Sequence, residues 1–144
     1  MAKVVARAAK HIDAPAERVL AFLSDYRESR PQILTANYSA YSVEQGGQGA
    51  GTLIAYHFAA GGRERDYRLR VEESAGMLTE RDELSSFSSC WSVMPEGAGS
   101  AVTIKSSWDG AGGIAGIFEG FFAPLGLRRI SGEVLDKLAA ALAS

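Results

Sequence analysis

Cysteine occurs once, as Cys90, and histidine twice, as His11 and His57. A single thiol excludes an internal disulfide framework and a cysteine-built zinc site, and it suits a reducing compartment. The histidines lie far apart and share no carboxylate motif, so they supply fewer ligands than a zinc site needs. No metal and no cofactor is expected. Cations are not in excess: 15 Lys and Arg stand against 17 Asp and Glu, for a net charge of −2. Without a basic field there is nothing to hold a phosphate backbone, and nucleic acid is not expected as a partner.

Long apolar runs are also missing. A bilayer span needs roughly 20 uninterrupted apolar residues. The nearest approach, Gly113 to Leu127 (GIAGIFEGFFAPLGL), is broken by Glu119 and Pro124 and runs into Arg128 and Arg129. It reads as a buried or pocket-facing helix, not as a membrane span. The opening stretch MAKVVARAAKHIDAP alternates small, apolar and basic residues and lacks the apolar core of a signal peptide. A cytoplasmic location is expected. There is no internal repeat, low-complexity tract or linker, so residues 1–144 are expected to form one domain. Its 47% hydrophobic and 22% charged residues suit a soluble domain with one sizeable core.

What is present is a run of strands between helical ends. Val4 to Ile12 reads as a strand. Ala14-Pro-Ala-Glu17 starts a helix, with Pro15 at its first position and Glu17 where the dipole favours a carboxylate. Val19, Phe22, Leu23 and Tyr26 recur at helical spacing and form a buried face. Pro31 permits a short helical turn over about Ser29 to Leu34, or else a loop. Strands follow over Tyr38 to Glu44, Thr52 to Phe58, Arg63 to Glu73, Met77 to Asp82, Phe87 to Pro95 and Ala101 to Asp109. The clearest alternation is in the third of these: Tyr67, Leu69 and Val71 point one way, and Asp66, Arg68, Arg70 and Glu72 the other. From Gly113 the chain is expected to be helical and bent or split at Pro124. Over Leu127 to Ala143, Ile130, Val134, Leu135 and Leu138 form the buried stripe. The order β-α-α-β6-α makes an α+β domain.

Three segments together carry a resemblance. They are Ile12-Asp-Ala-Pro-Ala-Glu-Arg-Val19, then Trp91-Ser-Val-Met-Pro95 with its glycine-rich turn and Ala101-Val-Thr-Ile104, and finally Phe121-Phe-Ala-Pro-Leu125 with Leu127-Arg-Arg-Ile130. In this order the chain resembles the START / polyketide-cyclase (SRPBCC) superfamily, the helix-grip fold of the birch pollen allergens, and within it the bacterial polyketide cyclase/dehydrase-like branch. The resemblance implies an antiparallel sheet of six to seven strands curved around a long C-terminal helix, with a hydrophobic cavity between them. It does not imply one function, because lipid carriers, cyclases and receptors share this fold.

Candidate site residues follow from strand parity. Ile54, Tyr56, Phe58, Tyr67, Leu69, Ser89, Trp91, Ile104 and Trp108 are expected on the sheet face toward the helix, with Tyr41 beside them. Phe118, Phe121 and Phe122 are expected to close the cavity from the helix. Gly112, Gly116 and Gly120 fall on one helical stripe, which suits either close packing or room for a ligand. Glu119 is the one charge in the apolar segment. Facing water it is an ordinary carboxylate; facing the cavity it is a candidate general acid or base. Arg81, on the parity of Met77 and Thr79, either lies on a solvated face or points inward to a carboxylate. His57 opposes the parity of Tyr56 and is expected to face outward. Cys90 alternates away from Trp91 and has no histidine to activate it.

The expectation for function is a cytosolic protein that binds an apolar small molecule: a lipid, an isoprenoid or a polyketide. The alternatives are a polyketide cyclase or dehydratase using Glu119 with Tyr56 or Tyr67, and a protein-interaction module without a ligand. Parity leaves the ligand, any reaction and the oligomeric state open.

Overall fold

The structure, a computed structural model, describes residues 3–109 and 124–143. Strand β1 (Lys3–Ile12) leads into helix α1 (Ala16–Ser24) and a 3-10 turn (Arg30–Ile33). Six strands follow: β2 (Tyr38–Gln45), β3 (Leu53–Ala60), β4 (Arg63–Ser74), β5 (Met77–Asp82), β6 (Ser88–Glu96) and β7 (Gly99–Asp109). Helix α2 (Pro124–Ala141) ends the described chain. The strands form one seven-stranded antiparallel sheet in the order β1-β7-β6-β5-β4-β3-β2. Residues 38–109 form a meander, and β1 adds beside β7 with Lys3 opposite Asp109 and Ile12 opposite Ser100. The curved sheet with its C-terminal helix is the expected helix-grip arrangement.

The helices sit where their apolar faces demand. In α1, Val19 and Leu23 are fully buried, Pro15 occupies the N-cap position and Glu17 lies in the first turn. In α2, Leu127, Ile130, Val134, Leu135 and Leu138 are buried at helical spacing, and the helix packs mainly on β1 and the 3-10 turn. Burying each such aliphatic side chain is worth about 1.5–3 kcal/mol. The short helical turn expected over about Ser29 to Leu34 is the 3-10 turn Arg30–Ile33, with Pro31 near its start and the extended Leu34 at its end. Helix α2 is described from Pro124, a position that needs no N–H. The expected helical residues from Gly113 to Ala123 lie outside the described residues.

The β6–β7 hairpin closes more tightly than composition suggested. Glu96 pairs with Gly99, and Gly97 has a φ of +64°, which permits a two-residue turn. One irregularity shapes the interior. Ser39 pairs with His57, but the next pair is Ser42 with Ala55. Ala40 and Tyr41 therefore oppose Tyr56 alone, and Ala40 takes a φ of +52°. This bulge resets the alternation, so Tyr38 and Tyr41 both face inward.

Candidate functional site

The inner face of the sheet is aromatic. Tyr38 meets Tyr56 edge-on at 5.1 Å between centroids and Phe58 at 4.9 Å. Tyr56 stacks on Tyr67 at 5.5 Å, Tyr67 meets Phe87 at 5.0 Å, and Phe87 stacks on Trp108 at 6.2 Å. Offset and edge-on pairs of this kind add to the burial of the rings.

Among the described residues, two small cavities open between this face and α2. The larger, about 50 Å³, has Tyr38, Tyr41, Ile54, Tyr56, Phe87, Ser89, Trp91 and Ile104 on its walls, with Leu127, Ser131 and Val134 of α2. Arg30 and Glu80 form its polar end. The smaller, about 20 Å³, lies among Tyr38, Tyr56, Phe58, Tyr67, Phe87 and Leu127. Tyr38, Tyr56, Phe87 and Leu127 are walls of both. Pockets for drug-sized ligands span about 300–1,000 Å³, so neither cavity holds such a ligand as it stands.

The polar end is built across the fold. Arg30 of the 3-10 turn and Glu80 of β5 are 5% and 3% exposed. Arg30 Nη2 donates to Glu80 Oε2 at 2.6 Å, and Nη1 donates to the Leu23 carbonyl at 3.1 Å. The guanidinium lies between the rings of Tyr26 and Trp91, 4.6 and 4.5 Å from their centroids. Tyr26 Oη also donates to Glu80 Oε2 at 2.6 Å, and Tyr41 Oη donates to the Tyr26 carbonyl at 2.6 Å. A buried charge needs such pairing, since leaving one partner alone in the interior costs several kcal/mol. Burial by itself opposes the charge on Arg30, and Glu80 outweighs it, so the guanidinium is held protonated.

The phenols respond in one direction. Burial first, then the charge of Glu80, pushes Tyr26 and Tyr38 far above the usual phenol range. Tyr56 moves the same way through burial, Tyr38 and Glu80. These hydroxyls stay neutral, and they act as hydrogen-bonding groups rather than as proton carriers at neutral pH. Beside them Ser89 Oγ and Ser106 Oγ bond each other at 2.8 Å.

Among the expected site residues, the larger cavity gathers Ile54, Tyr56, Ser89, Trp91 and Ile104, and the smaller one gathers Phe58 and Tyr67. Leu69 and Trp108 are buried in the core and line neither of these two cavities. Glu119, Phe118, Phe121, Phe122 and the glycine stripe lie outside the described residues. Arg81 faces outward and pairs with Glu72 at 2.6 Å, because β5 turns Leu78, Glu80 and Asp82 inward. His57 lies on the outer face against Asp66 at 2.7 Å. Cys90 has Thr79 as its neighbour, 3.7 Å away. Among the described residues no cluster of His, Cys, Asp or Glu is arranged to hold a metal.

Parity reasoning missed Arg30, Tyr26, Tyr38 and Glu80. Glu80 shares the parity of Leu78, opposite to Arg81, and that is the available signal. Asp82 is a second inward carboxylate, and its needs are met locally. It accepts from the Arg68 N–H at 3.0 Å and Ser85 Oγ at 2.6 Å, and it pairs with Arg65 at 3.4 Å.

Comparison with known proteins agrees with this architecture. The profile of the family described as polyketide cyclase / dehydrase and lipid transport matches residues 1–143. The solution structure of the KanY protein is 44% identical with a TM-score of 0.90, over 100% of both chains. Ginseng major latex-like protein 151 from Panax ginseng is 11% identical, with a TM-score of 0.74 over 96% of this chain and 97% of that one. Norcoclaurine synthase from Thalictrum flavum, in complex with dopamine and hydroxybenzaldehyde, is 13% identical, with a TM-score of 0.73 over 99% of this chain and 87% of that one. The last two likenesses are of fold alone. No curated protein matches the chain.

Proposed function

The chain belongs to the polyketide cyclase / dehydrase and lipid transport family, and on that premise we propose that it binds a hydrophobic small molecule between the sheet and α2. The observation that carries this reading is the pair Tyr38 and Tyr56. Both rings are walls of both cavities, and neither hydroxyl finds a hydrogen-bond partner among the described residues. Both residues are half-buried, and their hydroxyls are open to a molecule that enters. The two cavities share Tyr38, Tyr56, Phe87 and Leu127, so movement of these side chains joins them. Binding is driven by the apolar walls, at about 25 cal/mol per Å² of surface removed from water. A lipid, an isoprenoid and a polyketide all fit that description.

Native mass spectrometry of protein taken from cells, followed by organic extraction, tests the reading. A bound apolar molecule of defined mass is expected. Protein that carries nothing, and whose amide resonances do not move with fatty acids, isoprenoids or aromatic polyketides, would overturn it.

The enzymatic alternative, cyclisation or dehydration of a poly-β-ketone, needs an acid–base group aimed at the ligand. Glu119 with Tyr56 or Tyr67 is the candidate set. Glu119→Gln then abolishes turnover while barely changing affinity for a neutral ligand, and unchanged turnover removes Glu119 from the role.

A further inference from the structure

We infer that the Glu80 end of the cavity recognises a ligand hydroxyl, so that the ligand is a neutral amphiphile, a phenol or alcohol on an apolar body, inserted with its O–H toward Glu80. This rests on the small-molecule reading above and adds the chemistry of the ligand's leading end.

The inference comes from counting hydrogen bonds at one buried carboxylate. An ionised carboxylate accepts through about four lone-pair sites. The bonds from Arg30 Nη2 and Tyr26 Oη both land on Oε2, and none of the described residues donates to Oε1. Glu80 is 3% exposed and lies on the cavity wall, so what is open at Oε1 is open to the occupant of the cavity. An ionised oxygen without a donor from the protein is a ready acceptor for a donor that enters the cavity.

The hydroxyls of Tyr38, Tyr56 and Ser131, on the same wall, make no bond to Oε1, and other donors nearby are engaged. Tyr26 Oη is committed to Oε2 and Tyr41 Oη to a carbonyl. The serine hydroxyls bond each other, and Arg30 is anchored by Leu23 and clamped between two rings. In this arrangement the donor to Oε1 is supplied by the occupant. Its charge follows from the same wall. Arg30 and Glu80 neutralise one another, so an anionic head meets the exposed oxygen of Glu80, and a cationic head meets Arg30. A neutral O–H satisfies Oε1 without either repulsion. Its own oxygen can in turn accept from Tyr38 or Tyr56. A cavity of about 50 Å³ has room for a water molecule, which occupies about 30 Å³ in the liquid. The ligand hydroxyl takes over the bond that such a water makes.

Phenol, anisole and toluene, titrated into the protein and followed by amide and indole NMR, test this directly. They share one ring, and phenol alone donates a hydrogen bond. Phenol is expected to bind about tenfold or more tighter than the other two, with shifts centred on Trp91 and β5. Glu80→Gln keeps the shape. With its amide oxygen held by Arg30 and Tyr26, its NH₂ turns to the cavity, so the preference should pass to anisole. If all three ligands bind the wild type equally, small-molecule binding stands and hydroxyl recognition is overturned. If none binds, both are overturned for ligands of this class. A preference for phenol that survives in E80Q also overturns the assignment. The wild-type comparison decides by itself if that variant does not fold.

Discussion

Arg30 and Glu80, 50 positions apart in the chain, meet at 2.6 Å inside the protein. One comes from the 3-10 turn and the other from the centre of the sheet, so their pairing reports on the docking of the N-terminal segment. Both side chains are almost wholly buried, at 6% and 4% exposure, which makes the pair unforgiving to single changes.

Arg30→Met leaves a buried carboxylate without its charge partner. The expected loss is about 3–5 kcal/mol in urea unfolding. Replacing both members, as Arg30→Met with Glu80→Leu, should recover most of that loss, because the isolated charge is gone. Two single losses that simply add in the double variant would show that the residues do not act as a pair.

The histidines make stability depend on pH. Hydrogen bonding to Glu96 raises His11 above its ordinary 6.5, and bonding to Asp66 raises His57. Each group binds its proton more tightly in the folded chain. The stabilisation is therefore fully present below about 6.5 and is lost as pH rises through the folded value. Chemical denaturation midpoints measured from pH 5.5 to 8.5 should fall with rising pH, roughly over the histidine range. In the double variant His11→Asn, His57→Asn that slope should disappear, and a slope that persists unchanged assigns it to other groups.

Position 138 and position 125 make a matched pair on one helix. Leu138 is fully buried and Leu125 is 76% exposed. Leu138→Ala should cost about 2–5 kcal/mol, while Leu125→Ala should stay within about 0.5 kcal/mol of the parent. Equal effects in thermal unfolding would contradict the seating of α2 on the sheet.

Gly99 lies where β7 begins beside the end of β1. A Cβ there would stand 2.5 Å from the Ile12 carbonyl oxygen and 2.8 Å from His11 Nε2. The first contact is with backbone and cannot be relieved by a rotamer change. Gly99→Ala is expected to destabilise by about 1–3 kcal/mol, with faster amide exchange at Ile12 and Ser100. Unaltered exchange at that end of the β1–β7 ladder would refute the clash.

Much of the fold was readable from local pattern. The alternation of Tyr67, Leu69 and Val71 with charged neighbours marked β4, and the spacing of Ile130, Val134, Leu135 and Leu138 marked α2. These signals are strong because burial on one face imposes a period of 2 on strands and 3.6 on helices. The site was readable only in part. Tyr56, Trp91 and Ile104 sit on regular strands, and parity put them on the correct face. Tyr38 needed the bulge at Ala40, and alternation through that residue places Tyr38 and Tyr41 on opposite faces.

The polar end shows where sequence reasoning stops. Composition and periodicity by themselves determined the α+β class, the order of the elements, and the wet and dry faces of the strands. Each of these depends on neighbours within a few residues. The tertiary structure alone decided that Arg81 faces water while Glu80 faces Arg30, and that Tyr26 joins them. A charge goes inside only if a partner waits there, and this partner is brought by the folding of a segment 50 residues away. No local pattern carries that information.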